Sequence, residues 1–190
     1  MNADERYFRL LYGGASTHSG AIFVMMVITS LIGGGWGMLV VIPFLAQRHT
    51  RQMGAALLGT FVVAAAVVAV LKHTVGRARP FVSLSGVAPL YGTPAGFSFP
   101  SGHATGSFCF AGFVLAIAMR VARESPSRRR GAIVSAIGAL LFAFVVSISR
   151  IYLGAHFPSD VIVGALIGFS IGVGGAKAFE RLESSRSAAA

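Results

Sequence analysis

Acidic side chains are scarce in this chain. Among 190 residues there are six, Asp4, Glu5, Glu124, Asp160, Glu180 and Glu183, against 16 lysines and arginines. Chemistry that needs paired carboxylates therefore has very few places to sit. Cysteine occurs once, at Cys109, inside an apolar run. That excludes an internal disulfide and a thiolate metal cluster, and leaves Cys109 as a small core residue. Charge of either sign is low, at 12% of the residues. No low-complexity tract interrupts the chain, and no signal peptide is expected, because acids precede the first apolar run and no cleavage pattern follows it. The formal charge of +10 invites a nucleic-acid reading. Its positive residues sit between hydrophobic runs and form no aromatic-interleaved basic face, so no nucleic-acid partner is expected.

What the chain has instead is apolar length. Hydrophobic residues make up 55% of it, and the mean hydropathy is +0.75. A soluble domain of this size needs more polar surface, so the composition predicts a membrane protein. Residues 54–71, 104–119, 131–148 and 161–176 are uncharged runs close to the length of a spanning helix. Residues 19–46 form a fifth, roughly 42 Å long as a helix. The "GGGWG" at 33–37 weakens helix there. The expected fold is thus an all-α polytopic bundle of about five spans, with an interfacial helix over 18–32 and a span from 33 to 46. Six spans, with two short helices meeting at the glycines, is the alternative. The domain reading is an N-terminal segment over 1–32, a membrane domain over 33–180 and a frayed tail over 181–190.

Charge placement predicts the orientation. The segments 47–53, 120–130 and 177 onward hold ten lysines and arginines, and the opposite side holds Arg6, Arg9, Lys72, Arg77, Arg79 and Arg150. The positive-inside rule then puts the ten in the cytoplasm, with the C-terminus, and the six on the outer face of a plasma membrane. The final span carries Gly164, Gly168 and Gly172 at a spacing of four, which permits close helix contact. Packing within the subunit is the first use expected of that stripe, and a homodimer the second.

Three polar clusters break the hydrophobic pattern, "KHTVGRARP" at 72–80, "PSGH" at 100–103 and "SRIYLGAHFPSD" at 149–160. Under the five-span topology all three reach the same membrane face. Together they supply three cations, Lys72, Arg79 and Arg150, with His103, His156 and Asp160. Arginine clamps an oxyanion in bidentate fashion and lysine adds a point charge. Ser101 suits the N-cap of one span and Pro158 the first turn of another, so two helix starts add free N–H groups. Small Ser101 and Gly102 let backbone approach an anion. Such a pocket fits a phosphate group at the membrane edge. Two histidines beside a phosphate can divide the labour, one attacking as neutral imidazole and the other donating a proton to the leaving oxygen. Asp160, four residues after His156, can fold back toward that ring. Only Asp4 and Glu5 offer further carboxylates on this face, so the chemistry is expected to need no metal and no cofactor.

Lys72 to Arg79-Pro80, then Pro100-Ser101-Gly102-His103, then Ser149-Arg150 to His156 and Asp160, resembles the three-part signature of the type 2 phosphatidic acid phosphatase family. The resemblance covers roughly residues 33 to 180. It implies a helical membrane fold and a phosphohistidine intermediate. It implies His156 as nucleophile, Asp160 as its partner and His103 as acid. It also implies Lys72, Arg79, Ser101, Gly102 and Arg150 as phosphate ligands, and the place of Ser149 in the motif favours phosphate contact over a plain helix cap.

Outside the motif the bland readings win. Arg77 is expected to snorkel to headgroups, Arg6 and Arg9 to anchor at the surface, and His73 to stay clear of the substrate. The function expected is phosphate release from a membrane lipid on the outer face, the bilayer being the only other partner. Phosphatidic acid, phosphatidylglycerol phosphate and undecaprenyl diphosphate types all fit. Phosphoryl transfer to another acceptor is the first rival, and an anion-binding protein or transporter without turnover the second. The full His–Asp plus His set speaks against the latter, since holding an anion needs no nucleophile.

Overall fold

The computed structural model of the chain describes residues 2–14, 20–34 and 39–189. Eight α-helices run through these residues. They are α1 (Ala3–Leu11), α2 (Ala21–Ile32), α3 (Val41–Ala46), α4 (Arg51–Val75), α5 (Pro80–Ser83), α6 (Gly102–Glu124), α7 (Arg129–Tyr152) and α8 (Pro158–Ala189). No strand occurs among the described residues. Four stretches, built on α4, α6, α7 and α8, are long and apolar enough to cross a membrane. Their outward faces carry Val62, Val63, Leu141, Phe144, Ile162 and Leu166, each more than half exposed. Side chains of that kind on a helix surface suit lipid tails. The chain is a multi-span membrane protein.

α6 is the hub, packed against α4, α7 and α8. Small residues allow this. The glycine stripe faces α6, where a Cβ at Gly164 would stand 2.8 Å from the Ser101 carbonyl oxygen. At Gly168 and Gly172 it would come closer still, to the carbonyl oxygens of Thr105 and Cys109. The stripe is therefore filled within the subunit and is not left open to a second copy. Toward α7, Ala111 meets Ala139 and Ala143. At the end away from the histidines, Arg120 donates to Glu124 at 3.0 Å and to Glu183 at 2.5 Å, tying α6 to the extension of α8. α8 continues through the tail that the sequence suggested was frayed.

The fifth apolar run departs from expectation. Among the described residues, 33–46 holds a turn at 33–34 and the six-residue α3, with no long helix. Gly35, Trp36 and Gly37 of the glycine cluster lie outside the described residues. α2 lies beside α7, with Met26 against Leu153 and Leu90. α3 sits deeper, with Val41 against Leu57, Phe61 and Phe113. Among the described residues, the expected span over 33–46 is thus represented by α3 alone, with α2 ending before it. Helix propensity accounts for the end of α2, since Gly33 and Gly34 follow it directly and lie in a turn.

The connection over 73–100 is ordered in part. α4 runs to Val75 and ends on Gly76, whose N–H bonds to the Lys72 carbonyl, and α5 follows. The rest is stitched down, with the Leu90 N–H on the Leu153 carbonyl and the Tyr12 hydroxyl donating to Ala88. Gly154 makes the facing turn between α7 and α8. Its φ of +76° is strained for any L side chain, and a Cβ there would stand 3.0 Å from the Ala88 carbonyl.

Candidate active site

The three motifs meet at one end of the bundle, each set in place by a local feature. At the C-terminal end of α4, Lys72 donates to the Phe97 carbonyl at 2.5 Å. Past Gly76 the chain is extended, and Arg79 turns inward to 6% exposure. Its Nε donates to Gly96, its Nη2 to Ala95 and its Nη1 to Ala155, all carbonyl oxygens at 2.9–3.0 Å. Ser101 is the N-cap of α6 and accepts from the Ala104 N–H. Gly102 and His103 open that helix beside Lys72, on the wall of the same cavity. Arg150, in the last turn of α7, is buried and bonded to the Ser30 hydroxyl on α2.

His156 lies in the turn before α8 with 3% exposure. Its Nε2 stands 3.3 Å from Arg79 Nη1. Its Nδ1 faces Asp160 Oδ2 at 3.7 Å, beyond hydrogen-bond reach, and has no hydrogen-bond partner among the described residues. Burial pushes this imidazole down to about 4, opposed by Asp160, with Arg79 and Arg150 adding to the fall. The ring is neutral near pH 7.

Asp160 is fully buried. At the start of α8 its Oδ2 accepts from the Phe157 N–H at 2.9 Å, the backbone half of a capping box. The same oxygen accepts from the Ser98 hydroxyl at 2.5 Å, and Oδ1 accepts from Arg77 Nη1 at 2.6 Å. Both donors escaped the sequence reading. Arg77 does not snorkel, and points into the protein. A usable signal was its spacing, since residues two apart in an extended segment share a face, and Arg77 is two before Arg79. Ser98 carried no comparable signal.

A cavity of about 510 Å³ opens from this end between the helices. Lys72, Gly102 and His103 line it at the polar end, and Val68, Ala65, Phe61 and Phe110 along its length. Ile32, Gly33 and Gly34 at the end of α2 border it, as does Val40 before α3. His103 points toward the end of α2, since a Cβ at Gly34 would lie 3.0 Å from its Nε2.

Of the predicted residues, Lys72, Arg79, His103, Arg150, His156 and Asp160 gather here, with Ser101 and Gly102 at the start of α6. Ser149 stands apart. It is fully buried in α7, and its hydroxyl donates to the Val146 carbonyl at 2.6 Å. His73 is exposed and meets Phe97 edge-on. Arg6 and Arg9 are exposed on α1.

Comparison with known proteins adds independent weight. The model of the PAP2 superfamily matches residues 53–183, more than half of the chain. An undecaprenyl-diphosphatase of Sulfolobus acidocaldarius is 33% identical over 121 residues, covering 64% of this chain and 52% of that protein. The phosphatidylglycerophosphatase B of Bacillus subtilis is 32% identical over 160 residues, covering 80% of this chain and 66% of that protein. The chain spans about half the length of the first of these relatives. Among solved structures, LpxE of Aquifex aeolicus superposes with a TM-score of 0.71 at 26% identity, covering 93% of this chain and 96% of that one.

Proposed function

Because the chain belongs to the PAP2 superfamily, we propose that it is a membrane phosphatase that hydrolyses a monoester or diphosphate of a membrane lipid through a phosphohistidine, without a metal ion. One observation carries the reading. Lys72 and His103, two members of the polar cluster, line one end of a cavity whose walls are otherwise mostly apolar. A headgroup phosphate suits the first part and a hydrocarbon chain the second. The relatives' names agree in kind, since they act on an undecaprenyl diphosphate and on a phosphatidylglycerophosphate.

The steps follow from donor and acceptor chemistry. Arginine only donates, so Nε2 of His156 accepts from Arg79 and the ring proton sits on Nδ1, facing Asp160. Phosphate entering between Arg79 and His156 takes over that N–H and frees the Nε2 lone pair. Nε2 attacks phosphorus, the bond to the leaving oxygen breaks, and His103 donates the proton that oxygen needs. Asp160 stabilises the imidazolium through Nδ1–H. Water then attacks the phosphohistidine, gives its proton to His103 and releases phosphate. Lys72, Arg79, Arg150 and the N–H groups at the start of α6 hold the oxygens that gain charge. Ten against six lysines and arginines on the two sides supports a site on the outer face of the plasma membrane, with the C-terminus in the cytoplasm.

The test is phosphate release by purified protein in detergent with EDTA, over lipid monophosphates and diphosphates. Release that disappears in His156→Ala supports the proposal, and the ranking of lipids names the substrate class. No release from any lipid by folded protein overturns it in favour of transfer or binding alone.

A further inference from the structure

α1 is amphipathic and short, yet Phe8 on it is completely buried, against Phe157 and Ile151. Beside Phe8, Asp4 reaches the start of α8, where Oδ1 accepts from the Ser159 N–H at 2.9 Å and Oδ2 from the Ser159 hydroxyl at 2.6 Å. The same Oδ2 pairs with Arg77 Nη2 at 2.6 Å. The other amino group of Arg77 touches Asp160 Oδ1 at 2.6 Å and Ser159 Oγ at 2.6 Å, and its plane lies 4.1 Å over the Phe157 ring. One guanidinium therefore joins a carboxylate of the N-terminal helix to the buried carboxylate beside His156.

We propose that Arg77 is a positioning residue for Asp160, and that α1, through Asp4, holds Arg77 in place as a working part of the catalytic apparatus. The inference rests on the phosphohistidine reading above. Three features of the structure support it. Oδ2 of Asp160 must serve Nδ1 of His156, and a carboxylate is aimed only when its other oxygen is fixed. Arg77 fixes it, with the planar geometry that arginine brings to a carboxylate. Asp160 is buried with a neutral histidine as its neighbour, so it needs a counter-charge that does not leave with the substrate. Lys72, Arg79 and Arg150 are assigned to the phosphate in the proposed mechanism, while among the described residues the Arg77 side chain is engaged by Asp4, Ser159, Asp160 and Phe157. Finally, the Arg77 side chain is 28% exposed, so without Asp4 one side of its grip is water.

The test uses the full chain in detergent with a short-chain phosphatidic acid, the substrate least dependent on the cavity. In Arg77→Gln, kcat is expected to fall at least 30-fold with KM within twofold, because the residue meets no substrate atom. Arg77→Lys, which keeps one donor and the charge, recovers part of the loss. Asp4→Asn, which keeps an acceptor for Ser159 and removes the charge, lowers kcat severalfold without shifting the melting temperature. In an Arg77→Gln background, Asp4→Asn adds nothing further, the mark of two residues acting through one contact. A raised KM with kcat retained would make Arg77 a phosphate ligand and overturn the proposal. Unchanged kcat in Asp4→Asn, or full additivity, would reduce α1 to a structural element. Should Arg77→Gln fail to fold, Asp4→Asn alone decides between these outcomes. Wild-type turnover with unaffected variants sinks this inference only, whereas a folded wild-type protein that releases phosphate from none of the lipid monophosphates and diphosphates sinks the phosphatase reading beneath it.

Discussion

Arg79 Nη1 stands 3.3 Å from Nε2 of His156, the nitrogen proposed to attack phosphorus. In the proposed mechanism the arginine N–H passes from this lone pair to a phosphate oxygen. The same pair fixes the tautomer, because a group that can only donate leaves Nε2 as acceptor and the proton on Nδ1. Nδ1 and Asp160 Oδ2, 3.7 Å apart, close to hydrogen-bond length only when the ring shifts toward the carboxylate.

The first prediction concerns that ring's charge. With burial holding His156 down to about 4, the imidazole stays neutral through the physiological range and protonates only as pH falls through about 4. The sign matters, since protonation removes the attacking lone pair. Histidine carbon-13 spectra in detergent, assigned with His156→Gln, are expected to show a midpoint near 4. An ordinary midpoint near 6.5 would mean that the ring is open to water.

Ser98 is the second test. It donates to Asp160 Oδ2, the oxygen that must also meet His156, and it is completely buried. A hydrogen bond to a charged group contributes about 1.5–3 kcal/mol. Ser98→Ala is therefore expected to lower kcat about 10- to 100-fold, and unchanged kcat would show that Asp160 is held without it.

The cavity yields a prediction that separates chain from headgroup. Gly106 lines it, and among the described residues a Cβ there meets nothing within 4 Å. Gly106→Phe is expected to fill the space without clash, raising KM for long-chain lipid phosphates at least tenfold and leaving a short soluble phosphate ester nearly unaffected. Equal effects on both would remove the cavity from substrate binding.

The glycine stripe offers a stability contrast. A Cβ at Gly168 would run into the Thr105 backbone, while one at Gly138 meets nothing within 4 Å. Gly168→Ala is expected to destabilise by about 1–3 kcal/mol, the range for overpacking. Gly138→Ala is expected to be neutral or stabilising by roughly 0.5–1 kcal/mol. Thermal unfolding in one detergent compares them, and equal midpoints would contradict the α6–α8 packing.

Much of this site is legible in the sequence because polar residues are rare in apolar runs and each motif carries its own geometry. Asp160 follows His156 by four residues at a helix start, so capping aims it back, and Ser101 opens α6 as an N-cap. The long helices are legible for the same reason, since uncharged runs of the right length admit little else. The break in 19–46 was visible only as glycines, and propensity does not say how many helices result. Arg77 and Asp4 were harder. Each looks like an ordinary surface charge until α1 folds onto the start of α8, and nothing local links residue 4 to residue 160. Ser149 shows the converse, a motif position whose hydroxyl the helix itself satisfies.

The most direct test of the central claim is to trap the intermediate. Wild-type protein would be mixed with a phosphorus-32 lipid phosphate, quenched in alkali during turnover and mapped by peptide. An alkali-stable, acid-labile label is expected on His156, absent from His156→Ala. Steady turnover with no label on His156, or with the label on His103, would contradict it.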